Sequence, residues 1–187
     1  MTIPRQSYRA PARWLHWGMA LLILGMIPGG FLMIQEGLPR SVQNSMFISH
    51  KNLGVLLLLL VIVRLLYRWR NPPPPEPDHL PGWQVRIAGL THGLLYALLV
   101  IMPIAGYTRV KAGGFPIEVL DAWGVPSLVP RSDALAEFAK AVHFYGAWAI
   151  AILVAMHIGA ALHHAIVKRD GVFSRMWPRA GAGTQGP

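Results

Sequence analysis

Histidine is the residue type in this sequence best suited to carry chemistry. The chain has eight histidines and no cysteine, which excludes disulfides, thiolate zinc sites, iron–sulfur clusters and haem attached through cysteine. Neutral imidazoles ligate metals, and they titrate near neutral pH. All but His79 lie in or at the ends of long apolar runs, where an ionisable ring is costly and usually functional. These are His16, His50, His92, His143, His157, His163 and His164.

The spacing of His143 and His157 predicts two separate sites. At about 100° per residue the 14-residue step turns about 1400°, which is about 40° short of four turns, so both rings lie on one helix face. At about 1.5 Å per residue they are roughly 21 Å apart along the axis. That distance is too long for one shared metal ion, and each histidine therefore needs its own partner.

The segments that hold these histidines are apolar enough to span a membrane. Residues 14–35, 87–108 and 141–167 contain no Asp, Glu, Lys or Arg, and each run reaches the roughly 20 residues that a crossing requires. A fourth run, 46–66, has its two charges near its ends, where long side chains reach the interface. Because lipid offers no hydrogen bonds to open backbone groups, all four runs are predicted to be α-helical.

The fold predicted from these runs is an all-α integral membrane bundle of four helices. Hydrophobic residues make up 53% of the chain and charged residues only 13%, which argues against a soluble enzyme. We treat residues 1–187 as a single domain. The expected helices are about 12–35, 46–70, 84–108 and 133–168, with a disordered tail at about 180–187.

The net charge of +9 is explained by membrane topology. Most basic residues lie in the N-terminal tail, the connection after the second helix and the C-terminal tail, which places both termini in the cytoplasm of a bacterial inner-membrane protein. A nucleic-acid partner is not expected, because this distribution accounts for the charge and no binding motif accompanies it.

With this topology, the histidines can pair at two levels of the bilayer. His16 and His157 share the cytoplasmic level, and His50 and His143 share the periplasmic level. Two imidazoles on opposing helices suit haem b, in which they fill both axial positions of the iron. A metal transporter fits less well, because the spanning runs offer no carboxylates beside the imidazoles. Small residues near the ligands fit a flat macrocycle or, equally well, close helix packing. They are Gly18, Gly54, Gly146 and Ala161.

Several motifs, in order along nearly the whole chain, resemble the bacterial di-haem cytochrome b561 family, whose members include superoxide oxidases. They are RWLHW at 13–17, SHKNLG at 49–54, VRLLYRWRNPPPP at 63–75, THGLLYALL at 91–99 and MHIGAALHH at 156–164.

The resemblance implies two b haems, one bound by His16 with His157 and the other by His50 with His143. His164 follows His157 by seven residues on nearly the same face, so periodicity alone does not exclude it as the inner ligand. Arg64 and Arg68 lie one turn apart at the inner end of the second helix. They are either charges that set topology or partners of the inner haem propionates.

The activity that the resemblance implies is electron transfer between a periplasmic donor and ubiquinone, and it includes superoxide:ubiquinone oxidoreductase as one reaction. The expected partners are lipid, quinone, superoxide and a redox partner protein. His92, His163 and His164 are interfacial residues or proton donors to a quinone, while Lys51 and Lys140 either are interfacial charges or steer an anion. The alternative function is a haem b anchor subunit of a hydrogenase or formate dehydrogenase.

Overall fold

A computed structural model describes residues 7–177. This part of the chain contains four helices that are long and apolar enough to cross a membrane. The predicted tail at about 180–187 lies outside the described residues. The elements are α1 (Ala10–Leu32), α2 (Arg40–Arg70), α3 (Gly82–Ala112), α4 (Glu118–Ala122) and α5 (Asp133–Leu162), followed by a π-helical turn (His163–Lys168) and a 3-10 turn (Phe173–Arg175). The prediction of an all-α four-helix membrane fold is confirmed.

The helix ends follow local chemistry, and their largest departure from the predicted bounds is at the start of α2. Helix α2 stops at Arg70, before the prolines that cannot continue it. At the start of α5, the Ser132 hydroxyl accepts a hydrogen bond from the Leu135 amide at 3.3 Å, a standard N-terminal cap. Helix α2 begins at Arg40, earlier than the expected start near residue 46. Its first turns are polar, and hydropathy alone does not detect them.

A small apolar core joins the four long helices at mid-height. Its buried members come from α1, α2, α3 and α5, and in sequence they lie between the histidines of the two levels. Many other large apolar side chains are exposed, as expected of a surface that faces lipid. The core residues are Met19, Leu57, Val61, Leu99 and Ile150.

The helices do not all pack with equal closeness. Close backbone packing joins α3 to α5, α1 to α2 and α2 to α3, whereas within residues 7–177 helix α5 makes at most isolated close backbone contacts with α1 or α2. The bundle therefore leaves space on the face of α5 that points toward the first two helices.

The two ends of the described chain meet at one end of the bundle. The Tyr8 amide donates to the Arg175 carbonyl at 3.1 Å, and Trp17 Nε1 donates to the Met176 carbonyl at 2.9 Å. Arg175 also donates to the Pro74 carbonyl at 3.2 Å. The segment after α5 is thereby fastened to α1 and to the connection between α2 and α3.

Candidate functional site

Two histidines face each other near the end of the bundle where the termini meet, and we call them the inner pair. His16 comes from α1 and His157 from α5. Their ring centres are 6.2 Å apart, with the ring planes at 46°. The rings thus reach across the space between two helices whose backbones do not pack closely.

A second couple, which we call the outer pair, lies toward the other end of the bundle. His50 of α2 and His143 of α5 have ring centres 6.1 Å apart and ring planes at 77°. Sequence analysis matched the same residues by helix periodicity and membrane topology. The structure brings both of the predicted pairs together.

The separation within each pair fits one metal ion between two imidazoles. A metal–nitrogen bond of about 2 Å and a further distance of about 1.1 Å from that nitrogen to its ring centre, taken on both sides, give roughly 6.2 Å between ring centres. The observed 6.2 and 6.1 Å match this value. A direct hydrogen bond between the two rings would bring them closer together.

The hydrogen bonds of the ring nitrogens support the same interpretation. His143 Nδ1 lies 3.0 Å from the Met102 carbonyl; because a carbonyl only accepts, Nδ1 carries the proton and the Nε2 lone pair is left for a ligand. Metal-binding histidines commonly donate their second nitrogen in this way. In the described part of the chain, His16 Nδ1 is buried and has no hydrogen-bond partner.

The outer pair borders a large cavity of about 1720 Å³ with mostly apolar walls, larger than the 300–1,000 Å³ of typical small-molecule pockets. Glycines of neighbouring helices lie against both rings. A Cβ added to Gly30 would be 3.1 Å from His50 Cε1, and one added to Gly106 would be 3.2 Å from His143 Cε1. Because Gly30 and Gly106 have no side chain, the His50 and His143 rings fit beside them.

These glycines differ from the small residues that the sequence suggested. A Cβ added to Gly54 would meet only Met26 Cε, at 3.9 Å, and one added to Gly18 would meet nothing within 4 Å. At Gly146 it would overlap the Met102 sulfur, so this glycine permits close packing of α5 on α3. Sequence reasoning missed Gly30 and Gly106 because each contacts a histidine on a different helix.

Arg64 is held inside the bundle near the inner pair. Its Nε donates to the Tyr96 hydroxyl at 2.9 Å, and Nη1 donates to the Ala12 carbonyl at 2.9 Å. The Arg68 guanidinium lies 5.8 Å from the Tyr96 ring centre but is exposed. Arg64 thus links α2 to α1 and α3, with Nη2 as its remaining donor group.

Two further histidines lie at the inner end, and they differ in what they contact. The His92 ring, on α3, is 5.4 Å from the His157 ring. His164 belongs to the π-helical turn, and its Nδ1 lies 2.6 Å from Asp170 Oδ2. The His157 ring is therefore the one that faces His16. The His164 ring lies against the Asp170 carboxylate instead.

Helix α4 covers the end of the bundle beside the outer pair. Lys51 Nζ lies 2.7 Å from Glu118 Oε1 and donates to the Pro116 carbonyl, while the Val119 amide donates to Asn52 Oδ1 at 3.1 Å. Desolvation, the largest single effect, raises the pKa of Glu118. The hydrogen bond and charge of Lys51, together with hydrogen bonds from the Glu118 backbone and Asn52, lower it more in total, so the pKa lies below its ordinary value. The carboxylate is therefore charged at neutral pH.

The ion pairs of the outer end weaken the idea that Lys51 and Lys140 steer anions. Lys51 is paired with Glu118, and Lys140 lies 3.0 Å from Glu137. Each cation is largely neutralised by a neighbouring acid. Lys51 thus links α4 and the residue Pro116 before it to α2, about three turns after α2 begins.

Comparison with known proteins agrees with this geometry. The family model described as prokaryotic cytochrome b561 matches residues 7–179. Cytochrome b561 homolog 2 of Escherichia coli (strain K12) is 34% identical over 173 residues, which cover 91% of each chain. Cytochrome b561 homolog 1 of the same organism is 27% identical over 168 residues, covering 89% of this chain and 94% of the relative.

A third relative has a name that states an activity. A Yersinia pestis protein named "Probable superoxide oxidase CybB" is 28% identical over 170 residues, covering 88% of this chain and 92% of the relative. The matches span nearly the whole chain and include the four long helices. The chain therefore belongs to the prokaryotic cytochrome b561 family of haem b-binding membrane electron-transfer proteins.

Proposed function

We propose that the chain conducts electrons across the membrane through two b haems, one ligated by the inner pair and the other by the outer pair. The observation that carries this proposal is the presence of two facing imidazole pairs, each with the spacing of a single shared iron. Both pairs use one ring from α5. This helix therefore links the two levels of the conducting path.

The residues around each pair would hold the haem and tune it. The haem, when bound, supplies the one-electron redox chemistry. His143 donates its Nδ1 proton to the Met102 carbonyl, which fixes its tautomer and increases its basicity as a ligand. Arg64 and Arg68 lie where they can pair with the propionates of the inner haem, and the fixed position of Arg64 suits it to this role.

We further propose that both termini face the cytoplasm and that electrons pass from a periplasmic donor to ubiquinone at the inner end. The concentration of basic residues near the termini supports this orientation. One Yersinia pestis relative is named as a superoxide oxidase, so superoxide is our candidate donor. His164, in the π-helical turn after α5, would donate protons to the quinone.

The number of haems is the first test. A pyridine haemochrome assay on the purified chain should give two haems b per polypeptide. A value of one would leave one pair without an iron and contradict the proposal. A colourless protein would instead favour metal transport.

Electron transfer can be tested in the same preparation. We expect superoxide to reduce the haem spectrum of the isolated chain, and added ubiquinone to restore the oxidised spectrum. If the chain instead copurifies in a fixed ratio with a large catalytic subunit and is reduced only through it, the anchor-subunit function is the correct one.

The glycine at position 106 offers a mild test of the outer site. In Gly106→Ala the new Cβ would lie 3.2–3.3 Å from the His143 ring, and we expect a packing cost of about 1–3 kcal/mol. The outer haem should be released at a lower temperature and its midpoint potential should shift. Gly89→Ala on the same helix, where a Cβ meets nothing within 4 Å, is the control; equal behaviour of both variants would contradict the contact.

A further inference from the structure

We propose that Asp170 is a positioning residue for proton transfer at the inner end, where it holds His164 ready to protonate a reduced quinone. The inference rests on the proposed reduction of ubiquinone at this end. Asp170 follows the π-helical turn and lies 2.6 Å from His164 Nδ1. It also lies 3.8 Å from Nε2 of His79, in the connection between α2 and α3.

The three side chains form a cluster with one exposed member and two largely buried members. The His79 side chain is 51% exposed, whereas those of Asp170 and His164 are only 15% and 17% exposed. They come from two segments that are distant in sequence, so the tertiary fold creates the cluster. His164 lies in a π-helical turn, a feature that often occurs at functional sites.

Asp170 is suited to stay ionised beside the imidazole. Desolvation raises its pKa, but hydrogen bonds with His164 and from the Val172 amide lower it more, so the pKa lies below the ordinary value. The carboxylate accepts the Nδ1 proton of His164 and leaves Nε2 as the nitrogen that exchanges protons. A carboxylate placed in this way orients the ring and stabilises the imidazolium when it forms.

Reduction of ubiquinone at this end needs only electrons from haem and protons from water passed on by His164. Ubiquinone takes up two electrons from haem and two protons to become ubiquinol. For each proton, the N–H bond at His164 Nε2 breaks and an O–H bond forms on the quinone. The neutral ring keeps its Nδ1 proton, hydrogen-bonded to Asp170, and is reprotonated at Nε2 by a hydronium ion from the cytoplasmic solvent, which leaves as water, while Asp170 remains a carboxylate throughout.

A purely structural role for Asp170 makes a different prediction. Asp170 Oδ1 also accepts from the Val172 amide at 3.2 Å, in a turn where Arg169 has a φ of 51°. Asn can keep the hydrogen bond from the Val172 amide through its one side-chain oxygen. Its NH2 group takes the place of Oδ2 and can donate to His164 Nδ1 only when the ring proton is on Nε2. Asp170→Asn therefore removes the negative charge and preserves the turn. Asp170→Glu keeps the charge but makes the side chain longer by one methylene group.

The test compares two acceptors for the haem-loaded, chemically reduced protein in a stopped-flow spectrometer. Oxidation by a short-chain ubiquinone requires protons, and oxidation by ferricyanide does not. We expect Asp170→Asn to slow the quinone reaction by roughly tenfold to a hundredfold and to leave the ferricyanide reaction unchanged. Asp170→Glu should recover part of the quinone rate. Asp78→Asn, an exposed acid in the same connection as His79, is the matched control and should behave like the unmodified chain.

The outcomes separate this inference from the function on which it rests. If the unmodified chain reacts with ubiquinone and Asp170→Asn does so at the same rate, the role of Asp170 is refuted and quinone reduction stands. Equal slowing with both acceptors would show damage to electron transfer, and it would also refute the role. If ubiquinone does not oxidise even the unmodified chain, the proposed function fails and this inference fails with it.

Discussion

Replacement of His143 by alanine should halve the haem content of the protein, from two haems per chain to one. Only one of the two facing pairs includes this ring, which lies 6.1 Å from the ring of His50. Without His143 the iron would keep a single axial ligand from the protein, and the ring's hydrogen bond to the Met102 carbonyl would also be lost. Pyridine haemochrome and protein assays on the purified variant measure the ratio directly.

The partner ring gives this prediction a stricter form. If His50 and His143 hold the same iron, then His50→Ala, His143→Ala and the double variant should all keep one haem. When two histidines hold one iron, removal of either one releases the same haem, so the haem losses of the two single variants do not add in the double variant. The inner haem that each variant retains shows that the chain has folded. His163→Ala serves as the control for general loss of a histidine and should keep two.

Unchanged haem content in His143→Ala would refute the outer-pair assignment. A double variant with no haem, beside single variants that each keep one, would show that the two rings serve different irons. Either result would remove the basis for a conducting path along α5.

The two histidine pairs could be predicted from the sequence, because their formation depends on properties of long, uninterrupted helices. The helical period that places His143 and His157 on one face continues without a break along α5. Because successive helices cross the membrane in opposite directions, His16 and His50 lie at opposite levels. Local errors at helix ends barely affect these two properties. The earlier start of α2 at Arg40, for example, leaves the position of His50 unchanged.

The features that escaped prediction depend on contacts between segments. The loop 109–131 is compatible in sequence with a short interfacial helix, but the bounds of α4 could not be predicted, because it has only five residues and is held by tertiary contacts from Lys51 and Asn52. Which glycines touch the paired histidines depends on how each helix is rotated about its own axis, so Gly30 and Gly106 could not be identified from their distance along the chain. The sequence pattern likewise gave no sign of the π-helical turn.

That turn matters for the second large prediction, which concerns the ligand that α5 gives to the inner haem. We expect His157→Ala to lose the inner haem and His164→Ala to retain both haems. His164 follows His157 by seven residues, which puts it near the same helix face but about 10.5 Å further along the axis, in the π-helical turn that begins at His163. His164 Nδ1 is then held by Asp170, whereas the His157 ring faces His16 at the spacing of a shared iron.

The experiment is again a haem count, supported by the absorption spectrum of the haem that remains. His16→Ala should match His157→Ala in both respects, because the two rings would serve one iron. His92 adds a further check, since its ring is 5.4 Å from that of His157, closer than the roughly 6.2 Å expected across an iron with two imidazole ligands. His92→Ala should therefore keep two haems. If His164→Ala lost a haem while His157→Ala kept both, the register of the π-helical turn would have to be different, and the inner site would have to be rebuilt around His164.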